Sequence, residues 1–278
     1  MADRNDMNRM DAEEYSELKR QEKAEMFDLL SDATQKLLSG SKLKEYADMQ
    51  AKLFKQSVSN VLLVMEQMPE ATWVRSSDDW TADNVPILKG ETGIKTLGSY
   101  RYQREDGTMG IGSKVVKVFD VSQTGIRDMD IKGPSYRRVP NAFMLAYPPA
   151  IEAELPDGMD ALFDPVEQVI RVRPGLEPEA KVFAAAREHA VEIMTDGGDL
   201  HREDVLPQAE LAAYILTKHY GLEAPDIDFD KIAATYPGKE EKQVREEMGG
   251  IRFAANTINN RVQEVIELNR SDNTREER

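Results

Sequence analysis

The sequence predicts an α+β chain: N-terminal helices with a small antiparallel sheet, then a mostly helical second half carrying a β-hairpin. Three observations predict it. Apolar residues recur at helical spacing through residues 10–67. From Ala71 to Val121 the pattern changes to short apolar runs separated by Gly, Asp and Asn. A second short β pattern at 161–175 is then followed by helical periodicity alone.

The elements follow in order. In residues 10–38, Tyr15, Leu18, Met26, Leu29, Leu30, Leu37 and Leu38 mark a charged first helix, and Ser39-Gly40-Ser41 stops it. A second helix is expected from about Lys42 to Gln67, closed by Pro69, with Leu43, Tyr46, Met49, Leu53, Phe54 and the run 61–65 as its apolar positions. Strands are expected at 72–74, 93–102 and 113–121. Glu105-Asp106-Gly107 supplies the hairpin turn between the last two, because Asp-Gly accepts the positive φ of a tight turn. Residues 125–150, with their Gly, Pro and Arg, read as linker. The stretch ALFDPVEQVIRVRPG at 161–175 reads as a hairpin, Glu177 to Met194 as a helix broken by Thr195-Asp196-Gly197-Gly198, and about 205–220, 227–235 and 239–268 as further helices.

Composition narrows the function. The chain has no run of 18 apolar residues to span a bilayer and no apolar signal region at its start, so no membrane partner is expected and the chain reads as cytoplasmic. Without cysteine, disulfides and thiolate metal sites are excluded. The net charge of −15 argues against general nucleic-acid affinity. That charge is uneven: residues 1–40 hold 6 basic and 10 acidic side chains, 41–140 hold 15 and 13, and 141–278 hold 15 and 28. DNA contact is therefore expected in the middle segment, and contact with a protein partner through the acidic C-terminal half.

The residues 54–97 carry a specific pattern: Ser57 and Asn60, the run Val61 to Val64, then Gln67, Pro69, Ala71 and Thr72, Trp80, and Lys89, Gly90, Glu91, Gly93 and Ile94. The later VFDVSQT at 118–124 completes it. This pattern resembles the N-terminal single-stranded-DNA-binding domain of ArdC/LtrC-type antirestriction proteins. Gln56 stands where a Tyr is common and Leu88 where a second Lys is common; both remove groups that stack on bases or pair with phosphate. The resemblance implies a single-stranded-DNA partner. Single-strand binders combine basic residues with aromatic platforms, and the candidates are Lys52, Lys55, Asn60, Arg75, Trp80, Lys89, Lys95 and Lys117, with Arg101, Lys114, Trp73, Tyr100 and Tyr102 beside them. Two readings stay open. A Trp among apolar neighbours also reads as core, and Asn60 as a buried group fixing the helix to the sheet.

Residues 169–223 are similar to the IrrE/SprT-like zincin domain that follows such N-terminal domains. In that domain a helical H-E-x-x-H sets two His four apart on one face, with the Glu as base for zinc-bound water. Aligned on it, the first His falls on Arg187, the Glu on Glu188, the second His on Val191 and a third ligand on Glu210. Arg cannot coordinate and Val has no lone pair, so no metal, cofactor or catalytic residue is expected and the half reads as a pseudo-metallopeptidase. Arg187 is expected to pair with Glu210 or Glu188 in place of the metal.

The resulting domain reading is a helical extension over 1–40, a DNA-binding domain over 41–130, a linker over 131–150 and a degenerate zincin-like domain over 151–278. The function implied is that of a non-enzymatic, single-stranded-DNA-binding, antirestriction-type accessory protein of a conjugative or other mobile element. The alternatives are an acidic interaction module that no longer binds DNA and a metallopeptidase with an unorthodox site.

Overall fold

The structure is a computed structural model and describes residues 11–126 and 138–276. It divides into two compact units, one taking Met1–Lys36 and Ser59–Asp128, the other Leu37–Val58 and Met129–Arg278.

The first unit opens with α1 (Ala12–Lys36), whose Met26, Leu30 and Ala33 are buried. Helix α3 (Val58–Gln67) is its most apolar element, with Val61 to Met65 all buried. A three-stranded antiparallel sheet follows in the order β1 (Val74–Ser76), β3 (Met109–Asp120), β2 (Ile94–Gln103), with the short α4 (Ser77–Ala82) after β1. The β2–β3 register pairs Ile94 with Val118, Lys95 with Lys117 and Tyr100 with Gly112. Gly107, at φ 82°, turns this hairpin as expected, with Asp106 accepting from the Thr108 N–H at 2.9 Å. The first strand lies at 74–76 rather than 72–74, because the N–H groups of Thr72 and Trp73 are bound by the Asp120 carboxylate instead of a strand.

In the second unit, the sheet runs β4 (Ala150–Glu152), β6 (Val169–Val172), β5 (Ala161–Asp164). The expected β5–β6 hairpin is present, and β4 adds a parallel strand that the sequence reading did not include. Ala150, Ala161, Ile170 and Val172 pack with Ala184 of α6 (Pro178–Thr195). Helix α7 (Arg202–His219) packs along α6, then come α8 (Phe229–Ala233) and the 36-residue α9 (Glu241–Glu276). Along α9, Val244, Met248, Ile251, Ala255, Ile258, Val262 and Ile266 are buried at steps of three or four, the stripe that seats a helix on a core.

Three further expectations are corrected. The single helix from Lys42 to Gln67 is two, α2 (Gly40–Lys52) and α3, broken at residues 53–57. There the buried Gln50 amide lies 3.2–3.4 Å from the carbonyls of Leu53, Phe54 and Gln56, satisfying groups that a continuous helix would have bonded itself. The boundary at residue 41 also moves, because α2 packs in the second unit. Tyr214 donates to Asp48 at 2.7 Å, His219 Nδ1 meets the Ala51 carbonyl at 3.0 Å, and Phe54 stacks on His219 at 4.0 Å. Of the expected linker 131–150, residues 131–137 lie outside the described residues. Beyond them α5 (Val139–Leu145), with Val139, Ala142 and Phe143 buried, is core rather than linker.

Candidate functional site

The first unit's expected DNA-facing residues separate into anchors and free cations. Asn60 is an anchor: its amide oxygen accepts from the Leu97 N–H at 2.9 Å and its NH₂ donates to the Leu97 carbonyl at 3.1 Å. Gln67, seven residues on, does the same to Lys95 at 3.0 and 2.8 Å. Two carboxamides on α3 thus imitate a neighbouring strand and close the inner part of the β2 edge. Asn60 fixes helix to sheet, the structural alternative stated above.

Trp80 is corrected from stacking candidate to core. It is fully enclosed, its Nε1 donates to the Phe119 carbonyl at 2.9 Å, and it presents no face to a base. Trp73 meets it edge-on at 5.0 Å, and the Arg75 guanidinium lies 4.9 Å from the Trp80 ring and 5.5 Å from that of Trp73. Arg75 also pairs with Asp83 and donates to the Asp79 carbonyl, so it is committed to this cluster rather than to phosphate. Lys95 pairs with Glu22 of α1 at 3.1 Å. Lys52 and Lys55 are exposed, but they belong to the second unit and not to the sheet. Lys89 and Lys117 are exposed and make no ion pair among the described residues; the same holds for Arg101 and Lys114.

The VFDVSQT residues are a knot. The buried Asp120 carboxylate accepts from the N–H groups of Thr72, Trp73 and Ser122 and from the Ser122 hydroxyl, all within 3.0 Å. Burial pushes its pKa up, yet these four donors outweigh it and hold the group below the usual carboxylate range. Gln123 accepts from the Asp120 N–H and donates to Glu91 and to the Thr92 carbonyl, which ties this knot to the Lys89-Gly90-Glu91 turn.

In the second unit, Glu188 on α6 is wholly buried. Arg187 Nε lies 3.0 Å from its Oε1, Arg202 Nη2 lies 2.7 Å from the same atom, and the Phe163 N–H donates to Oε2 at 3.0 Å. The pairing of Arg187 with Glu188 matches expectation. Arg202, the first residue of α7, was missed by the sequence reading, since nothing in its spacing marks it; only the packing of α7 on α6 brings it here. Val191 is buried on α6. Glu210 makes no bond to Arg187 among the described residues; it lines a separate cleft of about 380 Å³ with Asp160, Phe183, Asp226 and Asp228.

Among solved structures, the metal-free ArdC antirestriction protein from the R388 plasmid aligns with 85% of this chain and 98% of its own, with a TM-score of 0.54 and 15% identity. Its Mn(II)-bound structure aligns with 84% and 98%, with a TM-score of 0.55 and 14% identity. The chain has the ArdC fold. No protein-family model matches the sequence, and no curated protein matches it significantly.

A metal such as the Mn(II) named for that ArdC structure does not fit the residues grouped around Glu188. Two guanidiniums, which have no lone pair to give, already occupy the oxygens of Glu188. Among the described residues no three His, Cys, Asp or Glu side chains are grouped to hold an ion. His189, next to Glu188, is fully buried; its Nε2 meets the Phe143 carbonyl at 3.3 Å and its Nδ1 has no partner among the described residues. Burial lowers its pKa to about 4, so the ring is neutral. Within the ArdC fold this α6 position is therefore a buried ion cluster.

Proposed function

We propose that the chain is a single-stranded-DNA-binding, antirestriction-type accessory protein of a conjugative or other mobile element, and that its second unit performs no peptidase chemistry. The ArdC fold supports the general role, through the antirestriction protein that shares it. The observation that carries DNA binding is the set of exposed cations in the first unit, Lys89, Arg101, Lys114 and Lys117, that make no ion pair among the described residues, in a chain whose net charge is −15. A cation left unpaired amid an excess of acids is available to phosphate. For the second unit, the support is the pair of guanidiniums on Glu188, which takes from that carboxylate the freedom to act as a base.

The test is fluorescence anisotropy of the full chain with a labelled single-stranded oligonucleotide at rising salt. Binding should fall with a log–log slope of about −0.7 for each phosphate neutralised. K89A/K117A should flatten that slope by roughly one unit or more. Absence of binding at low salt, with the fold intact, refutes the DNA reading and favours the acidic interaction module, which the net charge of −15 also supports. Elemental analysis of protein purified without chelator should find no stoichiometric zinc or manganese.

A further inference from the structure

Beyond its anchored inner part, the β2–β3 hairpin continues as a two-stranded ribbon. Tyr100 and Tyr102 lie on one face of it, opposite Gly112 and Gly110. The two rings lie 6.0 Å apart at 45° to each other. Each is laid across the glycine it faces. A Cβ added at Gly110 would fall 2.6 Å from Cζ of Tyr102, and one added at Gly112 equally close to Cζ of Tyr100. The glycines thus make the space in which the rings lie down. Even so, Tyr100 keeps 45% and Tyr102 43% of its surface exposed, so the side of each ring away from the sheet is open.

We propose that Tyr100 and Tyr102 are a platform on which consecutive bases of a single-stranded nucleic acid stack. This deepens the DNA-binding reading and rests on it. Alternate residues of a strand stand about 6.6–6.8 Å apart, and aromatic side chains so placed on one sheet face are a general way of stacking successive bases. The charge agrees. Residues 93–119 hold five basic side chains, Lys95, Arg101, Arg104, Lys114 and Lys117, against Glu105 and Asp106, although Lys95, already paired with Glu22, stands with Arg101 and Lys117 on the face opposite the tyrosines. Lys114, paired in register with Gly98, stands on the tyrosine face itself. A protein partner fits this face less well. The ribbon's exposed aliphatic side chains, Met109 and Ile111, pair with Gln103 and Arg101 and so stand on the opposite face. Laying a tyrosine over a glycine also steadies a Gly-containing ribbon, and the conservative variants below separate that role from stacking.

The experiment compares the full-length protein with Y100L/Y102L and Y100F/Y102F, using a labelled oligothymidylate and an abasic oligonucleotide of equal length. Circular dichroism verifies that each variant is folded. The leucine pair still covers the glycines but offers no π-face. It should weaken oligothymidylate binding by at least about tenfold with the salt slope unchanged. It should leave the weaker abasic binding as it was. The phenylalanine pair should bind within roughly threefold of wild type, since a phenyl face stacks as a phenol does. If wild type binds and the folded leucine pair binds equally, the platform is overturned while the DNA-binding reading stands. If wild type binds no oligonucleotide, both fall. If, in addition, sedimentation shows a self-associated species that Y100L/Y102L dissolves, the face is a contact between copies of this chain.

Discussion

Glu188→Ala tests the ion cluster of the second unit most directly. The substitution removes the acceptor of two guanidiniums and of the Phe163 N–H at once. Removing one partner of a buried ion pair costs about 3–5 kcal/mol, because the other charge stays behind uncompensated. Here the stranded cations differ: the side chain of Arg187 is 13% exposed and that of Arg202 24%, so Arg202 can turn partly to water. That relief is offset by the orphaned N–H, which costs about 1–3 kcal/mol. The net loss should be about 3–4 kcal/mol, or roughly 6–16 °C in melting temperature at about 2–4 °C per kcal/mol for a chain of this size. Far-UV circular dichroism follows the helices. Fluorescence of the two tryptophans, Trp73 and Trp80, verifies that the first unit is folded. A second variant, R187M/E188L/R202M, removes all three charges and should regain most of the lost stability, since buried ions replaced by apolar groups of similar size are often neutral. A Glu188→Ala melting temperature within about 2 °C of wild type, or a triple variant no better than the single, refutes the electrostatic account.

Three further outcomes are expected. Because burial lowers His189 to about 4 in the folded chain, the unfolded chain binds its proton first; stability should fall as pH drops from about 6.5 towards 4, by about 3 kcal/mol, and His189→Leu should flatten that slope in urea titrations. Asn60→Ala strands the N–H and carbonyl of Leu97 and should cost about 1–3 kcal/mol, with faster amide exchange at Leu97 than at Tyr100; equal exchange in variant and wild type counts against the clip. Gly112→Ala should lift the Tyr100 ring from the sheet, seen as a loss of ring-current shift on the residue 112 Cα proton; an unchanged shift counts against the contact.

Periodicity and turn chemistry carried much of the fold. The β2–β3 hairpin, its Asp106-Gly107 turn, the β5–β6 hairpin and helices α6, α7 and α9 all lie near their expected positions. Helical spacing on both sides of residues 53–57 hid the break between α2 and α3, because what stabilises it is the side-chain amide of Gln50 and not a Pro or Gly. Strand β4 is three residues long and leans on β6, too short for any pattern to show. At the sites, the family-like motif marked residues whose part is architectural: Asn60 clips the Leu97 backbone, and Asp120 and Gln123 bind backbone groups together with Ser122 and Glu91. Trp80 could not be told from a platform without its neighbours. Arg202 lies fourteen residues from Glu188 in sequence, and only the docking of two helices joins them.

The path of the chain has a practical consequence. It enters the first unit, leaves it after Lys36, returns at Ser59, and leaves again after Asp128. Neither body is a single contiguous stretch, so no one cut yields both intact. A fragment spanning about 41–130 would carry α2 away from Tyr214 and His219, and would lack the α1 carboxylate of Glu22 that holds Lys95. Such a fragment exposes two unfinished cores, and its failure to bind DNA would report misfolding and not chemistry. Dissection of this protein is therefore better done by point substitution than by scissors, and grafting of either half onto another scaffold needs two splice points where a simple two-domain chain needs one.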